Sequence, residues 1–169
     1  MGNKGAICSL SFYGRYCMIS DEEAKAIRDE RNSKKKMKDY YMKQVFVFGS
    51  NESGIHGAGA ALYAYKKKGA RYGVGFGRAG QSFAIPTKDT YIQTLDLETI
   101  SMYVQGFLAY AKSQYNTPFK VTRIGCGLAG YKDEEIAPLF KGASHNCFFD
   151  EAWKPYLGEE YKYWGTYGK

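Results

Sequence analysis

The residues best suited to chemistry fall in two glycine-rich stretches. The first reads Gly49, Ser50, Asn51, Glu52, Ser53, Gly54, Ile55, His56, Gly57, Ala58, Gly59, Ala60, Ala61. Residues this small let the backbone approach a ligand closely, and amides at the start of a following helix present the positive end of its dipole. Such a device binds phosphate or ribose oxygens. A tight strand-to-helix turn that needs glycine only for its conformation has the same composition. The second stretch is Gly125, Cys126, Gly127, Leu128, Ala129, Gly130, Tyr131, in which three glycines in six residues follow a strand. They form a backbone nest able to wrap a diphosphate.

Within the first stretch His56 is the side chain whose pKa suits proton transfer near neutrality, which makes it the candidate catalytic group. Asn51 would position the substrate rather than exchange protons, and a lone histidine also serves structurally. An amide cluster around Cys126 would lower a thiol pKa, yet no histidine or acid is adjacent in sequence, and a small residue fitting a tight loop is the preferred reading. Gly75, Gly77 and Gly80 spell GxGxxG. A strand-like run follows them instead of a helix, so the context is wrong for a dinucleotide fingerprint. No Gly-Lys-Ser or Gly-Lys-Thr closes either loop, which argues against ATP hydrolysis of the P-loop type.

These loops need elements to hold them. Val45 to Phe48 is a continuous apolar run that stops at Gly49, as a buried strand entering a loop does. Ala60 to Tyr65 is helix material, and Gly69 after Lys66, Lys67 and Lys68 is a C-terminal cap. Phe83 to Pro86 suggests another strand. Ile100, Val104, Phe107, Leu108 and Ala111 repeat at helical spacing behind an Asp96 cap. After Pro118, the residues Phe119, Val121 and Ile124 alternate as a strand that leads into the second loop. Asp133, Glu134 and Glu135 then open a helix carrying Ile136, Leu139 and Phe140. Upstream, Ser20 and Glu23 make a capping box for a charged surface helix running to about Lys38, and residues 1 to 20 would supply one or two strands. Strands alternating with helices argue for a mostly parallel sheet covered on both faces, with ligands at the carboxyl ends of its strands. The segment from Trp153 through Tyr156, Tyr161, Tyr163, Trp164 and Tyr167 is aromatic enough to pack on the body.

Composition narrows the setting. A chain of 169 residues, 44% of them hydrophobic, fits one domain with a real core. No apolar stretch approaches the roughly 18 residues that span a bilayer, and no apolar core follows a basic start as in a secretory signal. Neither a membrane partner nor secretion is expected. Cys8, Cys17, Cys126 and Cys147 form no CxxC pair and lie at no metal-ligand spacing with His56 or His145, so a reduced, cytoplasmic protein without metal or cofactor is expected. The formal net charge of +7 includes basic runs at Lys34, Lys35, Lys36, Lys38 and at Lys66, Lys67, Lys68, Arg71. A positive surface attracts a diphosphate or a polyanion. Without interleaved stacking aromatics the runs read as solvated helix faces rather than a nucleic-acid surface.

Taken together these residues resemble the macro domain family over positions 44 to 142. Phe46 to Asn51 is similar to its strand ending in a ligand-binding asparagine, and His56 to Ala61 to its glycine-rich first loop. Gly80 to Pro86 looks like the turn and strand that follow, and Val121 to Tyr131 like its diphosphate-binding loop. The resemblance implies an α/β fold of three layers, α/β/α, with a mostly parallel central sheet. Residues 1 to 43 would be an N-terminal extension and 143 to 169 an aromatic C-terminal segment, all within a single domain.

The resemblance also implies a ligand, ADP-ribose or an ADP-ribosylated macromolecule, with Asn51 at the distal ribose and Tyr131 stacked near it. Gly49, Ser50, Gly57, Ala58, Gly59, Gly80, Gln81, Gly125, Cys126, Gly127, Leu128, Ala129 and Gly130 would complete the binding residues. Members of that family remove ADP-ribose from macromolecules, act as ADP-ribose 1″-phosphate phosphatases, or only bind. Here Ala60 and Ala61 stand where its hydrolases often carry an acid, and no adenine-recognising aspartate strand precedes Val45. Hydrolysis of an ADP-ribose derivative and non-catalytic binding are therefore both expectations.

Overall fold

The computed structural model describes residues 20–168. The strands expected within residues 1 to 20, with Cys8 and Cys17, lie outside the described residues. The chain divides into two units, Met1–Met37 and Lys38–Lys169. Most of helix α1 (Asp21–Met42) belongs to the first. It opens on the expected capping box: the Glu23 amide donates to Ser20 Oγ at 3.2 Å and the Ser20 amide to Glu23 Oε2 at 2.7 Å. From Asp21 to Met37 every side chain but Ala24 is exposed, as a solvated helix requires.

The second unit is built on a six-stranded sheet in the order β2-β3-β1-β4-β5-β6. The strands are β1 (Val45–Asn51), β2 (Gly77–Ala79), β3 (Ser82–Lys88), β4 (Phe119–Val121), β5 (Cys147–Phe149) and β6 (Lys162–Tyr163). All neighbours run parallel except β2 and β3. Side-chain alternation separates two apolar faces. Val45, Val47, Phe83 and Ile85 join Ile100, Val104, Phe107, Leu108 and Ala111 of α3 (Leu97–Ser113) in the larger core. Phe46, Phe48 and Ala84 meet Ala64 of α2 (Gly59–Lys68) on the other. Helices thus cover both faces, and the fold is a mostly parallel α/β/α sandwich. Both helices end as expected: Asp96 accepts from the Thr99 amide at 2.7 Å, and Gly69 closes α2 with φ of 76°.

Two expectations change. The alternation through Ile124 predicts a longer strand than β4, but after Thr122, whose amide still donates to the Val47 carbonyl at 3.1 Å, the chain turns, with the Ile124 amide bonded to the Thr122 carbonyl at 2.7 Å. Ile124 stays buried, so the side-chain period outlasts the backbone pairing. The helix expected from Asp133 is the single turn α4 (Asp133–Ile136), continued as a 3-10 turn at Ala137–Phe140. Pro138 has no amide to extend an α-helical ladder.

Beyond it the aromatic C-terminal segment is part of the body. Trp153 is fully buried, and its indole donates to Asp133 at 2.7 Å ahead of α5 (Lys154–Leu157). Trp164 donates to the Val121 carbonyl at 2.9 Å, and Tyr167 packs at a steep angle against Phe46 and Tyr63. Residues 164 to 167 therefore extend the layer that α2 begins, at β4, where no helix of the described residues lies.

Candidate functional site

A cavity of about 580 Å³ opens at the carboxyl ends of β1, β3 and β4. It lies where the chain leaves central β1 for α2 and where neighbouring β3 and β4 deliver their own loops, the usual ligand position of an open α/β sheet. Gly49, Ser50, Asn51, Gly57, Ala58 and Gly59 line it from the first loop, and Gly125, Cys126, Gly127, Leu128 and Ala129 from the second. The two glycine-rich stretches, 76 positions apart at Gly49 and Gly125, face one space.

The first loop is held from inside. Asn51 Oδ1 accepts from the Ile55 amide at 2.9 Å while Nδ2 donates to the Ile55 carbonyl at 2.7 Å. The carboxamide therefore clamps its own loop, and the residue is 6% exposed. Gly75 completes the fit, because a Cβ there would lie 2.4 Å from the Asn51 carbonyl oxygen. This accounts for one glycine of the GxGxxG pattern: it lets another segment pass beneath the loop. At the loop's end Ala58 is extended and supplies no side-chain cap to α2. The amides of Gly59, Ala60 and Ala61 have no acceptor among the described residues and lie at the cavity wall. Lys66, Lys67 and Lys68 occupy the opposite, negative end of the dipole.

The second loop has the same property. Gly125 and Gly130 take φ of 78° and 85°, and the Tyr131 amide closes on the Gly125 carbonyl at 3.1 Å. The amides of Gly127, Leu128 and Ala129 donate to nothing among the described residues. A Cβ on Gly127 would meet nothing within 4 Å, so this glycine borders open space. Arg123, which also lines the cavity, is held by Asp133 through Nε at 2.9 Å. Burial would raise the Asp133 carboxyl, but the Arg123 and Trp153 hydrogen bonds outweigh it and hold the pKa down. Burial, with Asp133 nearby, pushes Cys126 up to about 12, so its thiol is protonated at neutral pH and is no nucleophile.

Five expected site residues do not reach the cavity. His56 is fully buried behind the first loop, edge-on to Phe48 and against Tyr72. Its Nε2 lies 3.0 Å from the Arg71 carbonyl, which can only accept, so Nδ1 accepts from Ser50 Oγ at 3.3 Å. Burial lowers its pKa, partly offset by the Arg71 bond. With both ring nitrogens engaged, His56 fixes the loop rather than moving protons in the cavity. Gly80 and Gln81 form the β2–β3 turn at the amino end of β3, where the Phe46 amide bonds to the Gln81 carbonyl at 2.9 Å. The seven-residue length of β3 separates them from the cavity by about 20 Å. Tyr131 supports the second loop from beneath, its hydroxyl donating to the Leu95 carbonyl at 2.7 Å, and Gly130 lies in the same turn.

Other cavity residues escaped the sequence reading. Thr87 and Lys88 end β3, and Lys88 pairs in register with Asn51. Lys88 has no ion-pair partner among the described residues. Ile92 follows on the β3–α3 loop. From the C-terminal segment come Asp150, Thr166 and Tyr167. Asp150 is fully buried and accepts from the Ala152 amide, the Thr166 hydroxyl and the Tyr167 amide at 3.0, 3.0 and 3.3 Å. The polar run Thr87, Lys88, Asp89 that closes a buried strand is the signal that marks the third loop. Nothing in the sequence marks Asp150.

No family model matches the chain, and no curated protein matches it. Among solved structures it is similar to one of Thermosipho africanus DarTG in complex with ADP-ribose, with 17% identity and a TM-score of 0.45. The match covers 65% of this chain and 38% of that one, so this chain spans well under half of that protein. At that level the site rests on its own geometry. Among the described residues no helix is long and apolar enough to cross a membrane, and no cluster of His, Cys, Asp and Glu is placed to hold a metal ion.

Proposed function

We infer that the cavity binds an ADP-ribose derivative through its phosphates. The observation that carries this reading is that free amides from two separate loops, three at the start of α2 and three at Gly127 to Ala129, line one cavity. Backbone donors without an acceptor favour an anion, and the α2 dipole adds to the attraction. Lys88 contributes a cation beside them. A volume of about 580 Å³ suits a ligand of nucleotide size. The macro-domain resemblance of both loops supports the same ligand.

Binding is favoured over hydrolysis. A water-activating group must reach the cavity within hydrogen-bond range. His56 is shielded behind the loop, Asn51 is clamped on Ile55, Ala60 and Ala61 bring no acid, and the one carboxylate of the lining, Asp150, is fully buried and taken up by three donors. Calorimetry with ADP-ribose, paired with incubation on ADP-ribose 1″-phosphate and on ADP-ribosylated protein and nucleic acid, tests both readings. Heat of binding without product is expected. Release of phosphate or ADP-ribose would make the protein a hydrolase, and no heat at millimolar ligand would remove the nucleotide reading.

A further inference from the structure

The cavity is unevenly made. Its buried lining is largely polar, with Ser50, Asn51, Thr87, Thr122 and Asp150, whereas its exposed lining carries aliphatic side chains that the core does not use. Ile55 is 49% exposed, Ile92 43% and Leu128 74%, and all three line the cavity. Each comes from a different loop. Single exposed aliphatics are ordinary on a protein surface, but three converging on one opening leave apolar area in water that only a ligand would cover.

Ile92 adds an independent observation. It has φ of 67° and is the one non-glycine described residue with positive φ. A β-branched side chain is badly suited to that conformation, which glycine or asparagine takes far more readily. The loop nevertheless enforces it: Asp89 Oδ1 accepts from the Tyr91 and Gln93 amides, both at 2.8 Å, and the Asp89 amide bonds to the Gln93 carbonyl at 2.8 Å. Strain held by such over-determination points to use of the side chain where it projects.

The carboxylate, carboxamide and guanidinium groups that line the cavity are already engaged. Asp150 accepts from three donors, Asn51 is closed on Ile55, and Arg123 is held by Asp133. We propose that Ile55, Ile92 and Leu128 form a collar that holds the nucleobase by apolar contact, so that the cavity accepts purine nucleotides with little discrimination between adenine and hypoxanthine. This rests on the nucleotide reading above and assigns the base end of that ligand.

Calorimetry on the intact chain with ADP-ribose, its hypoxanthine counterpart and ribose 5-diphosphate, for wild type and Ile92→Asn, tests the collar. The two purine forms should bind within about fivefold of each other, and Ile92→Asn should weaken both by about fivefold or more while melting no lower than wild type. A preference for adenine beyond that factor, unchanged affinity in Ile92→Asn, or a lower melting temperature marking Ile92 as a packing residue would each overturn the proposal. If ribose 5-diphosphate binds as tightly as ADP-ribose, the collar fails and the phosphate reading stands. If wild type binds none of the three, the nucleotide reading itself fails and the collar with it.

Discussion

At the scale of single residues, type and spacing found the loops but not the partners that their side chains hold. Most of the small residues of both stretches line one cavity, and glycine and alanine there leave only the backbone to donate. His56 and Asn51 looked like chemistry because their groups are versatile, yet both are spent on loop backbone or on a buried serine. Sequence cannot reveal which hydrogen bonds a side chain has already made. Gly127 is the sharpest test of the amide reading, because a Cβ there meets nothing within 4 Å and its φ is not positive. Gly127→Glu should abolish ADP-ribose binding by bulk and repulsion while lowering stability by less than about 1 kcal/mol, checked by calorimetry and thermal melting. Unchanged affinity in the folded variant would put the phosphates elsewhere.

His56 carries a second prediction. Its folded pKa is lowered by burial, so below about pH 6.5 the unfolded chain takes up a proton that the folded chain resists. Stability should therefore fall as pH drops through that range. Thermal melts from about pH 7.5 to about pH 5 should decline more steeply for wild type than for His56→Gln. Equal slopes would mean that this imidazole does not govern the loop's acid sensitivity.

At the scale of elements, the helices and long strands were legible because periodicity and caps agree with tertiary packing. The five core positions of α3, the Asp96 cap and the Gly69 terminus were all readable from spacing. The strands β2, β5 and β6 span three residues or fewer, too short for alternation to be seen, and β5 and β6 are fixed by pairing with β4 and with each other. The C-terminal segment was expected to pack, but its place at the cavity depends on Asp150, whose three hydrogen bonds are invisible in sequence. Asp150→Ala would leave the Ala152 and Tyr167 amides and the Thr166 hydroxyl without their acceptor in a buried setting. A loss of about 2–4 kcal/mol is expected, with weaker ADP-ribose binding as Thr166 and Tyr167 leave the wall. Full stability in this variant would show that the segment is held by its aromatic contacts alone.

At the scale of the whole molecule, the net charge of +7 raises the question of whether nucleotide binding is general polyanion attraction or a local fit. The distribution of charge in the second unit argues for a local fit. Lys66, Lys67 and Lys68 stand in the last turn of α2, about 10 Å along the helix axis from the amides that face the cavity. Lys120 belongs with them, its pKa lowered first by burial and then by Lys68, and its amino group lies 3.9 Å over the Trp164 ring. At about one Debye length, roughly 8–10 Å, the charges of Lys66 to Lys68 are largely screened from the cavity amides in ordinary salt. Within the cavity Arg123 is already paired, which leaves Lys88 as the cation free to meet a phosphate among the described residues. Affinity for ADP-ribose should therefore fall by only about threefold to fourfold between about 50 and about 200 mM salt, as one cation contact implies. Lys88→Ala should remove most of that dependence and weaken binding about tenfold. A surface built for nucleic acid, engaging six or more phosphates, would lose about a thousandfold over the same range. A slope that steep, unaffected by Lys88→Ala, would transfer the function from the cavity to the basic face.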